Sequence, residues 1–360
     1  MSSNNVSEQA VLDALRTVND PDLGRDIVSL GFVKDLAIDG GKVSFTIELT
    51  TPACPMKKEM ERWAREAVQK VEGVAEIAVT MTATVTHGAA GAGKQKIEGV
   101  RNIVAVGSGK GGVGKSTVTV NLAIALAQAG AAVGILDADI YGPNIPLMMG
   151  VAGRPHAIGE RIQTLANYGV RLMSMGFLME EDDTPVIWRG PMLHSVVQQF
   201  LRQVDWGELD YLLIDLPPGT GDVQLSLTQT VPLTGAVVVS TPQDVALQDA
   251  RKAIQMFRQV EVPVLGIVEN MSYFQCPKCG EVSYVFSHGG GAATAARYGV
   301  PLLGEVPLNA SLREGGDAGK PVVAMTPDAP AAQSFQSIAA QVAAQVSVVN
   351  AGKRGLTVIQ

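Results

Sequence analysis

Cysteine is scarce, with three residues in a chain of 360. So small and odd a number in a chain this long excludes a disulfide framework. It points to a reducing compartment, the cytoplasm, where cysteines serve as ligands or buried thiols. Long apolar runs are missing too. No stretch reaches the ~18 apolar residues that a membrane span needs. The N-terminus, M-S-S-N-N-V-S-E-Q, lacks the basic-then-apolar order of a secretory signal. The closing segment, Ala351 to Gln360, has no basic amphipathic face. No membrane attachment is therefore expected. Nor is there a Lys/Arg-rich stretch: Lys plus Arg total 28 against 35 for Asp plus Glu, a net charge of −7. No nucleic-acid partner is expected, because phosphate-backbone contacts need clustered cations. The four histidines, His87, His156, His194 and His288, show no ligand spacing. What the chain does have is apolar content: 46% hydrophobic against 18% charged residues fits a folded protein with a large core, long enough for two domains.

A Gly/Ala-rich stretch from Thr84 to Lys96 carries no apolar period and reads as a linker. It separates a small domain at 1–84 from a large one at 99–360, with 85–98 between them. In the small domain Val6, Ala10, Leu12, Leu15 and Val18 recur at helical spacing. Two strands flank the turn Asp39-Gly40-Gly41, and Val43, Phe45, Ile47 and Leu49 alternate with polar residues as in a half-buried strand. A helix over Pro55 to Val71 and a strand through Ile77, Val79 and Met81 complete a compact α+β unit. The large domain reads as α/β. Short Val/Ile/Leu-rich runs at Asn102–Val106, Val133–Leu136, Tyr211–Ile214, Gly235–Val239 and Val264–Val268 alternate with helical pattern. Strands buried on both faces read this way, so the sheet is expected to be mostly parallel with helices on both sides. Ligands in such sheets bind beyond the carboxyl ends of the strands.

One of those ends carries the strongest motif. The strand Ile103–Val106 runs into Gly109-Lys110-Gly111-Gly112-Val113-Gly114-Lys115-Ser116-Thr117 and then into a helix. Glycines let the backbone curl so that N–H groups converge on phosphate oxygens, and the helix N-terminus adds the positive end of its dipole. Lys115 reaches the β- and γ-phosphates in such a loop, and the Ser116 hydroxyl binds Mg²⁺. ATP is thus the expected nucleotide. Lys110 is either a solvated surface lysine or a second phosphate-facing cation, one that can serve a neighbouring subunit as arginine fingers do in trans. Tyr211–Asp215 is an apolar strand ending in a carboxylate, the expected acceptor behind Mg²⁺. The glycine-containing loop after it suits sensing of the γ-phosphate. Ile135–Asp139 ends in two carboxylates; Asp139 is assigned the attacking water, with the alternative that one of Asp137 and Asp139 caps the following segment.

Cys276-Pro277-Lys278-Cys279-Gly280 is a C-x-x-C pair, whose turn brings two sulfurs to one side. Zinc and [4Fe–4S] centres want four ligands, so two chains about a two-fold axis would complete the set. An iron–sulfur cluster, zinc and a redox dithiol are all compatible with the motif. Cys54, where a helix is expected to begin, is either a thiol of lowered pKa or a small buried hydrophobe.

With these residues in view, the chain resembles the Mrp/ApbC-type iron–sulfur cluster carrier ATPases over nearly its whole length. Gly109–Thr117 matches their deviant Walker A loop, with Lys110 at the signature position shared by the dimeric MinD, ParA and nitrogenase iron-protein group. Asp137–Asn144 and Asp215–Asp222 match the two switch segments, and C-P-K-C-G the cluster-ligand motif. The resemblance implies a P-loop NTPase fold and a homodimer bridging one [4Fe–4S] cluster on Cys276 and Cys279 of both chains. It further implies slow ATP hydrolysis with Mg²⁺, upstream scaffold proteins as donors and apo iron–sulfur proteins as recipients. It places Asn270 near the adenine and Pro307–Asp317 around the rest of the base. The first 84 residues resemble the small α/β domain shared with other iron–sulfur assembly factors, through Asp20-Pro21-Asp22, Asp26–Gly31 and Cys54-Pro55. A MinD- or ParA-like switch ATPase that organises a partner, with the cysteine pair as structural zinc ligands, is the competing expectation. It shares the loop and both switches but has no need of C-P-K-C.

Overall fold

A computed structural model describes residues 6–88, 96–140, 142–178 and 190–353. Most of the expected linker (89–95), Tyr141 of the first switch and the last seven residues of the closing segment lie outside the described residues. The chain divides into two compact units, 1–86 with 343–360, and 87–342.

The first unit is built as its periodicities require. Its opening helix, Glu8–Leu15, is capped by Ser7, whose hydroxyl accepts the Ala10 N–H at 3.1 Å. The helix buries Val11 and Leu15 completely, while Leu12 is only half-buried. Val6, Leu15 and Val18 are buried as read in the sequence, but Val11 takes the place expected of Leu12, because both are apolar and only packing chooses between them. Strands Val33–Asp39 and Lys42–Leu49 form the antiparallel hairpin, and Lys42–Leu49 pairs in parallel with Glu76–Ala83. Val43, Phe45, Ile47 and Leu49 face inward, each at most 2% exposed. The helix Lys57–Gln69 closes the layer with Met60, Ala64 and Val68. One contribution comes from far along the chain. Val348 and Ala351, near the end of the helix Pro330–Lys353, pack into this core. The expected large domain, 99–360, thus gives up its last turns to the small unit. A helix rich in alanine and valine shows no marker in sequence for where its partners change. The expected linker also starts later than 85, since Val85 is buried.

The second unit holds an eight-stranded sheet. Its order is Leu165–Asn167, Val170–Ser174, Val133–Asp137, Leu209–Asp215, Val100–Ser108, Gly235–Ser240, Val264–Asn270, Leu302–Val306. Seven strands run parallel and only the edge strand Leu165–Asn167 is antiparallel. All five residues of Val133–Asp137 and all six of Gly235–Ser240 are buried. Successive residues point to opposite faces, so both faces are covered, which a helix-flanked parallel sheet requires. Helices Lys115–Gln128 and Asp244–Gln259 pack on it. The carboxyl ends of neighbouring strands bring Ser108, Asp137, Asp215 and Asn270 to one edge of the sheet. Among the described residues no helix is long and apolar enough to cross a membrane.

Placing a charge where Ala351 sits, 7% exposed in the small unit's core, should loosen that unit first. Ala351→Asp is expected to speed amide hydrogen exchange in the strand Lys42–Leu49 well beyond any change in Val100–Ser108. Equal exchange in wild type and variant would show that the end of the helix does not belong to this core.

Candidate functional site

The loop between Ser108 and Lys115 curls because two of its glycines occupy the left-handed region, Gly112 at φ 78° and Gly114 at φ 82°. Gly109 answers a different constraint: a Cβ there would lie 2.2 Å from the carbonyl carbon and oxygen of Asp249, so only glycine lets the loop rest on the helix Asp244–Gln259. Gly114 is the N-cap of the helix Lys115–Gln128 and no side chain caps its first turn. Those amide groups remain available to an anionic ligand.

Asp215 gathers the polar side chains of this helix. Fully buried at its strand end, it accepts Lys115 Nζ at 2.6 Å and Ser116 Oγ at 2.7 Å on Oδ2, and Thr119 Oγ1 at 2.6 Å on Oδ1. Lys115 Nζ also lies 3.5 Å from Asp139 Oδ2. The lysine and serine of the motif are thus brought together with both carboxylates expected near them. Asp137 and Asp139 separate by position. Asp137 is fully buried and accepts the Ser174 hydroxyl at 2.8 Å and the N–H groups of Asp139 and Ile145 at 3.2 and 3.4 Å. It holds the segment that follows its strand. Burial, with the charge of Asp215 adding to it, pushes its carboxyl up to about 8, against the pull of Ser174, Lys115 and the Asp139 amide. Asp139 instead lines the cavity in front of Lys115.

That cavity, about 650 Å³, is walled by the loop on one side. Gly142 and Asn144, Pro218, Asn270 and residues of the stretch Pro307–Asp317 form the others. Asn270 is buried and donates from Nδ2 to the Val113 carbonyl at 2.8 Å. Lys110 lines the same cavity half-buried and makes no ion pair among the described residues. The side chain of Asp222 lies outside what is described. Thr119 and Ser174 were missed in the sequence. Thr119 was open to detection, since it sits one helical turn beyond Lys115 on the same face. Ser174 was not, because only the parallel register sets it opposite Asp137.

The cysteine pair forms the turn of a small hairpin between strands Phe274–Gln275 and Val282–Ser283. The turn closes through the Gly280 N–H on the Cys276 carbonyl at 2.9 Å, with Gly280 at φ 77°. The amides of Cys279 and Lys278 point at the Cys276 sulfur, and the Cys279 side chain adds a bond, which together lower the thiol's pKa below its usual value. Cys279 is exposed and Cys276 half-exposed, and no cysteine is in a disulfide. Among the described residues no three His, Cys, Asp or Glu side chains group to hold a metal, so this hairpin offers two sulfurs and nothing more. Cys54 is half-buried against the small unit's core, nearer to the second of its two sequence readings than to the first. Burial pushes its thiol up to about 11, with Asp20 and Asp22 adding to the rise, and the amides of Met56 and Lys57 offset only part of it. The helix begins at Lys57, three residues on, and desolvation outweighs its dipole.

Comparison with known proteins agrees with this geometry. Residues 99–343 match the family described as NUBPL iron-transfer P-loop NTPase, and residues 8–79 the family described as iron–sulfur cluster assembly protein. An iron–sulfur cluster carrier protein of Synechocystis is 51% identical over 95% of this chain and 99% of its own. One from Deinococcus radiodurans is 50% identical over 94% and 95% respectively. Among solved structures, a nucleotide-binding protein from Archaeoglobus fulgidus in complex with ADP superposes with a TM-score of 0.58 at 41% identity, covering 66% of this chain and 93% of that one.

Two outcomes are expected. Gly109→Ala should lower stability by about 1–3 kcal/mol through overpacking and weaken nucleotide binding, measured by thermal denaturation and calorimetric titration. With its thiol near 11, Cys54 is ionised in about one molecule in a thousand at pH 8. Iodoacetamide followed by peptide mass mapping should therefore find Cys276 alkylated well before Cys54; the reverse order would contradict the assigned environments.

Proposed function

The chain belongs to the NUBPL iron-transfer P-loop NTPase family, and on that premise we propose that it is an iron–sulfur cluster carrier working as a homodimer. A [4Fe–4S] cluster is the cargo, held by Cys276 and Cys279 of both chains, taken from an upstream scaffold protein and passed to apo-proteins. The observation that carries this reading is the hairpin. It presents two sulfurs, one favoured as thiolate by backbone amides, on an exposed turn with no third ligand near among the described residues. A half-set of ligands needs a second copy, and an exposed set favours release as well as capture. The paired free thiols suit a reducing compartment, the cytoplasm in this proposal.

ATP binding and hydrolysis drive the cycle. The amides of Gly109–Thr117 and the Lys115 ammonium bind the phosphates, and Asn270 with Pro307–Asp317 surrounds the base. The donor set suits Mg²⁺, a hard cation that takes oxygen ligands: the Ser116 hydroxyl is held 2.7 Å from Asp215, which would keep it oriented. When bound, that ion neutralises charge developing between the β- and γ-phosphates. Asp139, facing the cavity beside Lys115, orients the attacking water. Lys110, lining the cavity without a counter-ion among the described residues, acts on the phosphates across the dimer interface. The switch segments Gly142–Asn144 and Pro218 border the same cavity, so γ-phosphate occupancy can hold them in one arrangement that is lost after hydrolysis.

Anaerobic reconstitution with iron and sulfide tests the cargo. Wild type should take up both and turn brown, Cys276→Ala should retain neither, and uptake of zinc alone by wild type would overturn the reading. In parallel, Lys115→Ala should hydrolyse ATP at least about 100-fold more slowly.

A further inference from the structure

Glu269 is a fully buried carboxylate, and no salt bridge reaches it among the described residues. Burying a charge without a cation is costly, and an apolar pair of similar volume usually serves folding as well. Its partners indicate what it does instead. Oε1 accepts the Ser272 hydroxyl at 2.6 Å and Oε2 accepts the Gly291 N–H. A Cβ on Gly291 would lie 2.6 Å from Oε2 and 3.1 Å from the Glu269 Cβ, so a larger residue there would have to push the carboxylate aside. Ser272 and Gly291 bracket the segment that holds the cysteine hairpin. One carboxylate therefore fastens both of its stems to the strand Val264–Asn270. On the far stem it also supplies the cap that the helix Gly290–Tyr298 does not get from Gly289.

The next residue of the strand points to the opposite face. There Asn270 is bonded to the Val113 carbonyl of the phosphate loop, and a Cβ on Gly114 would lie 2.2 Å from its Nδ2. Met271, between Asn270 and Ser272, lines the nucleotide cavity at φ 56°, a left-handed conformation that a methionine keeps only where its neighbours fix it. They do: Asn270 is tied to the loop, and the Ser272 N–H bonds the Val306 carbonyl at 3.0 Å. Four consecutive residues thus join the phosphate loop to both stems of the hairpin.

We infer that Glu269 is the positioning residue through which nucleotide occupancy sets the geometry of the Cys276–Cys279 hairpin. The inference deepens the carrier reading and rests on its assignment of ATP to the cavity. A shift of the loop on phosphate binding moves Asn270, and Glu269 carries the movement to the two points where the hairpin leaves the sheet. Glu269 does not line the cavity, so its loss leaves nucleotide affinity in place and removes only the coupling.

The test uses the full-length apo protein and reads the iodoacetamide alkylation rates of Cys276 and Cys279 with ATP and with ADP. Wild type is expected to show a ratio of about fivefold or more between the two nucleotides, the size of a typical coupling. In Glu269→Ala and Ser272→Ala the ratio should fall to about one while nucleotide affinity stays within about twofold of wild type. Glu269→Gln can still accept the Gly291 N–H and donate to Ser272, so it should keep the ratio. Ser272→Ala removes one hydroxyl and serves where Glu269→Ala does not fold. A wild-type ratio of one, or a full ratio in Ser272→Ala, would overturn the inference. Cluster reconstitution is read separately: its failure would remove the carrier reading and leave the thiol ratios to judge the coupling.

Discussion

A carboxylate with no access to water survives in a protein only if its lone pairs are answered, and at Asp215 they are answered from one helix. Lys115, Ser116 and Thr119 all bond to it within 2.7 Å, and all three lie in the first turns of Lys115–Gln128. Asp215 ends the strand adjacent to Val100–Ser108. The interaction therefore fixes where the helix begins relative to the strand that feeds it. The six residues between Ser108 and Lys115 must close that gap with their backbone turned inward, which is why Gly112 and Gly114 take positive φ. Removing one partner of such a buried pair typically costs about 3–5 kcal/mol, because the other charge is left uncompensated. The Lys115 ammonium is thus already held in place, and in the proposed nucleotide site an arriving phosphate would compete with Asp215 for it rather than having to order a free side chain.

The same constraint separates the neighbouring carboxylates. Asp137 and Asp139 are two residues apart in sequence, where Asp139 is preferred for the attacking water and a capping role for either is the alternative. In the fold Asp137 sits opposite Ser174 and beside Asp215 in the parallel register, where two buried anions repel and one is driven toward its protonated form. Asp137, buried and bonded to the Ser174 hydroxyl and to the amides of Asp139 and Ile145, is a structural group. Asp139, two residues past the strand end, keeps an edge on the cavity and a lysine at 3.5 Å.

What sequence showed and what it hid follow from how local each signal is. The phosphate loop was legible because glycine spacing, the Lys-Ser pair and the flanking strand and helix all lie within about twenty residues. The five central strands were legible because burial on both faces leaves unbroken Val/Ile/Leu runs. Three outer strands were not. Val170–Ser174 is interrupted by Arg171, Leu302–Val306 contains Gly304 and Glu305, and Leu165–Asn167 is too short to show a period. Ser174 and Glu269 stayed hidden because their partners are set by strand register or by a return of the chain some twenty residues later. At Cys54 the sequence left two environments open, because the approaching helix is a local signal while the desolvation that outweighs it comes only from the folded core.

The two halves of the site are solved by opposite physics. Behind the phosphate loop Lys115, Asp137, Asp139 and Asp215 are buried and bonded to one another or to their neighbours, which makes that part of the arrangement stiff. The cysteine turn is exposed and favours the thiolate of Cys276 with the backbone amides of Cys279 and Lys278 and the Cys279 side chain. Amides lower the thiol's pKa without adding a charged side chain that would bind to the sulfur and have to be displaced. In the proposed carrier such a site would hold its cargo through sulfur alone, and its affinity would depend on how closely two such turns approach. That distance is a property of the stems, not of the turn. The stems meet the sheet at Ser272 and Gly291, both on one carboxylate, one residue from the side chain that touches the phosphate loop. Control over the thiolates therefore belongs at the base of the hairpin, where the structure is rigid enough to transmit a displacement, and the tip can remain open for exchange.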